Sequence, residues 1–217
     1  WGLCDVQMGV FESLTFGALI SAVDPVATLA VFGALKVETN LNYRVFGESI
    51  INDAVSIVLF RVFGTYMSKP WLGASSVAGA FQLFITIGFG SVGMGMLLGF
   101  AASLVLKLSH IHDPLLAGGC FIISSYVAYE VTEAFHLSGI IASLFAGFCM
   151  RHYALINIAD QYQTMVLDMV HMLASMSDLV IFFMVGENVI LYTMREGVKV
   201  YFILWTILLC LLGRCLN

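Results

Sequence analysis

About seven long apolar stretches, parted by short polar breaks, constrain this chain more than any other feature of its sequence. A helix needs about 20 mostly apolar residues to cross the hydrocarbon of a bilayer. By that rule candidate spans fall at residues 14–35, 45–67, 77–106, 115–135, 137–150, 165–185 and 198–212. Residues 36–44 are polar, 68–70 form a turn, and 109–113 form a loop before a helix that can begin at Pro114. Residues 151–163 read as an interfacial segment and 187–199 as a mixed connection. Composition agrees: 60% of the residues are hydrophobic and 11% charged, against about 25% charged in a soluble domain. A chain of 217 residues cannot hide that much apolar surface in one core. The expected fold is therefore an all-α, polytopic helix bundle in a lipid bilayer.

Several function classes drop out at once. The net charge is −5 and no basic run offers a nucleic-acid surface. No Walker loop, nucleophile elbow or dinucleotide fingerprint is present, so the chain is not read as an enzyme. The five cysteines form no CxxC pair and read as small buried residues. His110, His112 and Asp113 lie close together but lack a further ligand, and read as a solvated loop. Trp1 is not a natural initiator, and the chain is expected to be an internal piece, incomplete at both ends, of one transmembrane domain.

Small residues mark where helices approach closely. Gly95 and Gly99 form a GxxxG in the third span, and Ser138, Gly139, Ala142, Ser143, Ala146 and Gly147 line the fifth. Both patterns read as packing faces.

Polar residues inside the apolar spans carry the chemistry, because a charge at membrane depth is costly. Asp24, Glu48, Asp53, Glu130, Glu133, Asp168, Asp178 and Arg214 are such residues. In Ser21-Ala22-Val23-Asp24-Pro25-Val26-Ala27-Thr28, Pro25 has no N–H and clashes with the carbonyl of Ser21. Asp24, Ser21 and Thr28 add oxygens to that weak point, which is either an ion-exposing break or a simple proline kink. In the next span Glu48, Asn52 and Ser56 recur at helical spacing with Asp53 beside them. A carboxylate among amide and carbonyl oxygens suits a hard cation such as Na⁺, and the same group can take a proton instead. Glu48 also fits a structural ion pair with Arg214 or a lysine.

Phe46-Gly47-Glu48-Ser49 followed by Asn52-Asp53-Ala54-Val55 resembles the signature of the eukaryotic sodium/proton exchanger family. Ser21–Ala27 is similar to that family's broken helix, and Glu133 with Phe135-His136-Leu137-Ser138-Gly139-Ile140 and Gly213-Arg214 are further matches in family order. The resemblance implies a fold of about a dozen helices in inverted repeats, with two crossed, broken helices around the ion site. It implies that Asp53 binds the ion and proton, that Asn52 marks the electroneutral branch, and that Asp24 organises the site. It pairs Glu48 with Arg214, and places Glu133 and His136 where the family has residues linked to inhibitor sensitivity. Where the family has a Ser-Glu pair this chain has Ser177-Asp178, which leaves the role of Asp178 open. The second broken helix is expected beyond Asn217.

The activity these features imply is secondary-active, electroneutral exchange of Na⁺ (or K⁺) for H⁺ by alternating access. A homodimer is the implied assembly, and no cofactor or resident metal is implied beyond the transported ions. Two other readings remain at this stage: a non-transporting relative that keeps the fold, and a cation channel, which would need a ring of oxygens around a continuous pore.

Overall fold

The computed structural model describes residues 8–22, 31, 32, 34, 35, 37–67, 74–109, 113–158, 160–196 and 199–216, without the side chains of 74, 75, 114, 161, 196, 214 and 216. Every regular element among them is helical. In order they are α1 (Val10–Ser21), α2 (Thr39–Tyr66), α3 (Ala74–Ser109), α4 (Pro114–Ala134), α5 (Gly139–Cys149), α6 (Asp160–Glu196) and α7 (Val200–Leu216). Four stretches are long and apolar enough to cross a membrane: Ser76–Ser109, Leu115–Ala134, Gly139–Asn157 and Tyr162–Arg195. α1 and α7 hold shorter apolar helices. α2 is long enough, but Arg44, Glu48, Asn52, Asp53 and Arg61 lower its hydropathy.

Helix ends follow local chemistry. Glu12 reaches back to accept from the Gly9 N–H at 2.8 Å, capping the start of α1. Pro114 opens α4, as expected, and Asp113 caps it by accepting from the Leu115 N–H at 3.1 Å. α1 stops at Ser21, and Ala22 is extended with ψ 131°. Asp24, Pro25 and Thr28 lie outside the described residues, as do His110 and His112.

Three expectations need correction. The polar break at 36–44 is in part helix, since α2 begins at Thr39. The fifth span is not short: α5 runs on through a π-helical turn, Met150–Ala154, and a 3-10 turn, Leu155–Asn157. Much of the expected interfacial segment is thus part of this span. The connection expected from residue 187 is also helix as far as Glu196. That stretch has neither Pro nor Gly to break it, and Asn188 bonds back to the Met184 carbonyl at 2.8 Å. Among the described cysteines Cys149 is buried, Cys120 and Cys210 are half-buried, and Cys215 is exposed.

The chain divides into two compact units. In Gly9–Leu167, α2, α3 and α5 share a core of Val58, Val62, Ile87 and Ile141, with Phe63, Phe84 and Phe145 packed on it. The packing faces read from small residues meet each other. A Cβ on Gly95 would lie 2.8 Å from Ala142 Cα, and one on Gly99 would lie 2.9 Å from Ala146 Cα. α3 and α5 therefore touch backbone to backbone, which glycine alone permits. The other unit contains the rest of α6, from Asp168, and α7. Every residue from His171 to Arg195 is exposed there, and a helix apolar on all sides calls for hydrocarbon or other helices around it.

Candidate functional site

α2 carries a buried polar stripe. Ser49, Asp53 and Ser56 follow one another at helical spacing; Ser49 and Ser56 are buried and Asp53 is half-buried. Glu48 and Asn52 are exposed. The face that looks inward is thus Ser49–Asp53–Ser56, not the Glu48–Asn52–Ser56 line drawn from spacing. One residue turns a helix by about 100°, so adjacent positions such as Asn52 and Asp53 have different surroundings.

The end of α1 meets this stripe. The Ser21 hydroxyl donates to the Ala18 carbonyl at 2.8 Å and so accepts from the Ser56 hydroxyl, also at 2.8 Å. Ser56 is one turn beyond Asp53. The last turn of a helix exposes unpaired carbonyls and the negative end of its dipole. Through the Ser21–Ser56 contact, the end of α1 lies about one turn of α2 from Asp53.

Asp53 Oδ1 is a buried atom with no hydrogen-bond partner among the described residues. Asn42 Oδ1 and Ser138 Oγ share that condition among the described residues, and of the three only Asp53 ionises. Buried polar atoms are nearly always paired, and an unpaired buried carboxylate oxygen is costly. Such an oxygen is free to bind a cation or a proton without first breaking a bond to the protein. A cleft of about 320 Å³ lined by Thr65, Tyr66, Gly79, Gln82, Leu83 and Thr86 does not include it.

Glu133 lies elsewhere in the same unit, in an ion pair that spacing did not reveal. Arg61, two turns beyond Asp53 on α2, forks onto both carboxylate oxygens of Glu133, and its Nη1 also donates to the Leu137 carbonyl at 2.9 Å. Arg61 lies inside an apolar span, so the rule that singled out Asp53 applied to it as well. Its partner is 72 residues away and carries no local signal. Glu133 Oε1 accepts from the Gly139 N–H at 3.0 Å as well.

His136 is exposed and has φ 59°, the left-handed conformation. Its N–H donates to the Glu133 carbonyl at 2.8 Å, and the Leu137 N–H donates to that of Thr132 at 3.2 Å. These two bonds make a Schellman stop for α4, with histidine where glycine is usual. Asp178 is exposed on α6. The side chain of Arg214 lies outside them.

Residues 2–217 match the family model described as the transmembrane sodium/hydrogen exchanger. All of the chain aligns with human sodium/hydrogen exchanger 8 at 38% identity, covering 38% of that protein. Rabbit sodium/hydrogen exchanger 2 is 34% identical over the whole chain, which covers 26% of its length. Opossum (Didelphis virginiana) sodium/hydrogen exchanger 3 is 38% identical over 86% of the chain and 22% of its own length. The chain thus spans well under half of each of these relatives.

Proposed function

This chain belongs to the sodium/hydrogen exchanger family, a family of multi-pass membrane transporters rather than enzymes, and on that premise we propose that the full-length protein exchanges Na⁺ (or K⁺) for H⁺ at Asp53. The observation that carries this reading is the buried Oδ1 of Asp53, unpartnered among the described residues, one turn from the Ser21–Ser56 contact. A cation here gains one full negative charge, together with hydroxyl and carbonyl oxygens near the end of α1. A proton on the same carboxylate removes that charge, so the site holds one or the other. Asn52 is neutral and exposed, which leaves one ionisable group and a one-for-one exchange. Asp24 belongs to this reading as a group bonded to backbone freed by Pro25, and Thr28 as a further oxygen. A homodimer in the bilayer completes it.

The test is Na⁺-driven proton flux through the full-length protein in proteoliposomes clamped at two potentials. The expected rate is the same at both. It falls as pH is lowered on the cation-loading side, because protons displace Na⁺ from the carboxylate. A voltage-dependent rate with matching current would show a second charge moving and overturn the one-for-one reading. Current without an opposing gradient would indicate a channel, and no flux of either ion a non-transporting relative.

The pairing of Glu48 with Arg214 is part of the same proposal. Glu48 is exposed in its unit, so the expected coupling is about 1 kcal/mol, the scale of an exposed ion pair. Neutralising either residue should lower folded yield, and neutralising both should restore part of it. Strictly additive losses in this double-mutant cycle would mean that the two do not touch.

A further inference from the structure

The Arg61 clamp joins the helix that carries Asp53 to a corner that is held from its other side. That corner is the turn from α4 to α5, residues 135–138. α3 grips it through Ser91, whose hydroxyl accepts from the Ser138 N–H at 2.8 Å. Leu137 lies close on Gly90, where an added Cβ would be 3.1 Å from Leu137 Cδ2. The Schellman bonds and the Gly139-to-Glu133 bond fix the corner internally. α2 meets this assembly mainly through apolar side chains, Val58 and Val62 against Ile87 and Ile141. Apolar contacts are non-directional and tolerate sliding. A guanidinium forked onto a carboxylate and bonded to a carbonyl tolerates neither sliding nor rotation. It therefore sets the height and turn of α2.

Asp53 lies eight residues before Arg61 on one continuous helix, about 12 Å along its axis. A helix moves as a rod over that distance, so what holds Arg61 holds Asp53. The two charges of the clamp are half-buried, with side-chain exposures of 30% and 28%. The side chains of this unit thus leave part of each charged group uncovered.

We propose that Arg61 is a positioning residue for ion exchange: its clamp on Glu133 and the Leu137 carbonyl holds α2 in one of the two access states and releases when Asp53 turns to the other side. The proposal rests on the exchange reading above. Its consequence is a population shift. A contact made in one state favours that state, and losing it moves the equilibrium toward the other. Apparent affinity scales with the fraction of protein in the competent state. Losing the clamp must then weaken cation binding from one side of the membrane and strengthen it from the other. A bond that merely supports folding would lower the amount of active protein and leave both affinities alone.

The experiment uses the full-length protein in proteoliposomes of defined orientation, with KM for Na⁺ measured from each side. Arg61→Met and Glu133→Gln are expected to move the two KM values several-fold in opposite directions. Arg61→Lys keeps the charge but loses the fork, and should give a smaller shift of the same sign. The exchange of partners, Arg61→Glu with Glu133→Arg, should bring both values back toward wild type. Unchanged values, or values that move together, would overturn the proposal. A second readout does not depend on transport. Spin labels at the exposed positions Phe60 and Val127, in a cysteine-free background, report the distance between α2 and α4. One population is expected in the parent and a second in Arg61→Lys. The same single distance in both would also overturn the proposal. Absence of exchange in the parent would count against the exchange reading, while the label distances would still decide the clamp.

Discussion

Asp53→Asn is expected to reduce cation/proton exchange to the background of protein-free vesicles while leaving the fold intact. The substitution keeps size and shape and removes the charge and the titrating proton together. Oδ1 has no hydrogen-bond partner among the described residues, so the substitution breaks no bond at that atom. A buried carboxylate oxygen left unpaired is a burden on stability, and neutralising the group should leave the melting temperature unchanged or raise it. Loss of transport with undiminished stability would separate a working residue from a structural one. The measurement is Na⁺-driven proton flux at matched membrane abundance, with a thermal melt in detergent alongside. Exchange at the wild-type rate would remove Asp53 from the mechanism.

The second large effect is expected at the α3–α5 contact. Gly95→Leu should sharply lower the yield of folded protein. Even the first added carbon at Gly95 would press on the backbone of Ala142, with Cα at 2.8 Å and the carbonyl carbon at 2.9 Å. Overpacking usually costs about 1–3 kcal/mol where side chains can shift. Here a helix backbone has to move, so the cost should reach or pass the top of that range. Gly88→Ala is the control, since nothing lies within 4 Å of its added carbon. In a helix interior that change removes backbone freedom from the unfolded chain and should stabilise by up to about 1 kcal/mol. Folded yield by size exclusion and melting midpoint would check both. Similar outcomes at the two glycines would mean that helix propensity rather than close approach governs this stretch.

The helical, membrane-spanning class was legible in the chain because bilayer thickness demands long apolar runs, and such runs can be seen one segment at a time. The start of α4 was legible for the same local reason: Pro114 suits a first turn and Asp113 caps it. The Asn52-Asp53 motif and the Asp24-Pro25 motif were also plain, and they led to the family. Where helices ended was less plain. The stretch from Glu187 to Glu196 is polar enough to look like a connection, yet it contains no helix breaker. The stop at His136 was hidden too, because no glycine marks its left-handed residue.

Partners were the part that local patterns did not contain. The sequence offered two small-residue faces, but only the packing set Gly95 against Ala142 and Gly99 against Ala146. It offered Glu133 as a charge in a span, but not Arg61 as its counterion, 72 residues earlier. It put Asp53 next to Asn52, and the rotation of α2 turned the first inward on the face of Ser49 and Ser56 and left the second exposed. The physical reason is one of range. Capping, proline geometry and apolar periodicity act within a turn or two of the chain, so they can be read in a single pass. Which side chains meet across helices depends on how whole helices are rotated and shifted against one another, and every residue in the interface contributes to that balance.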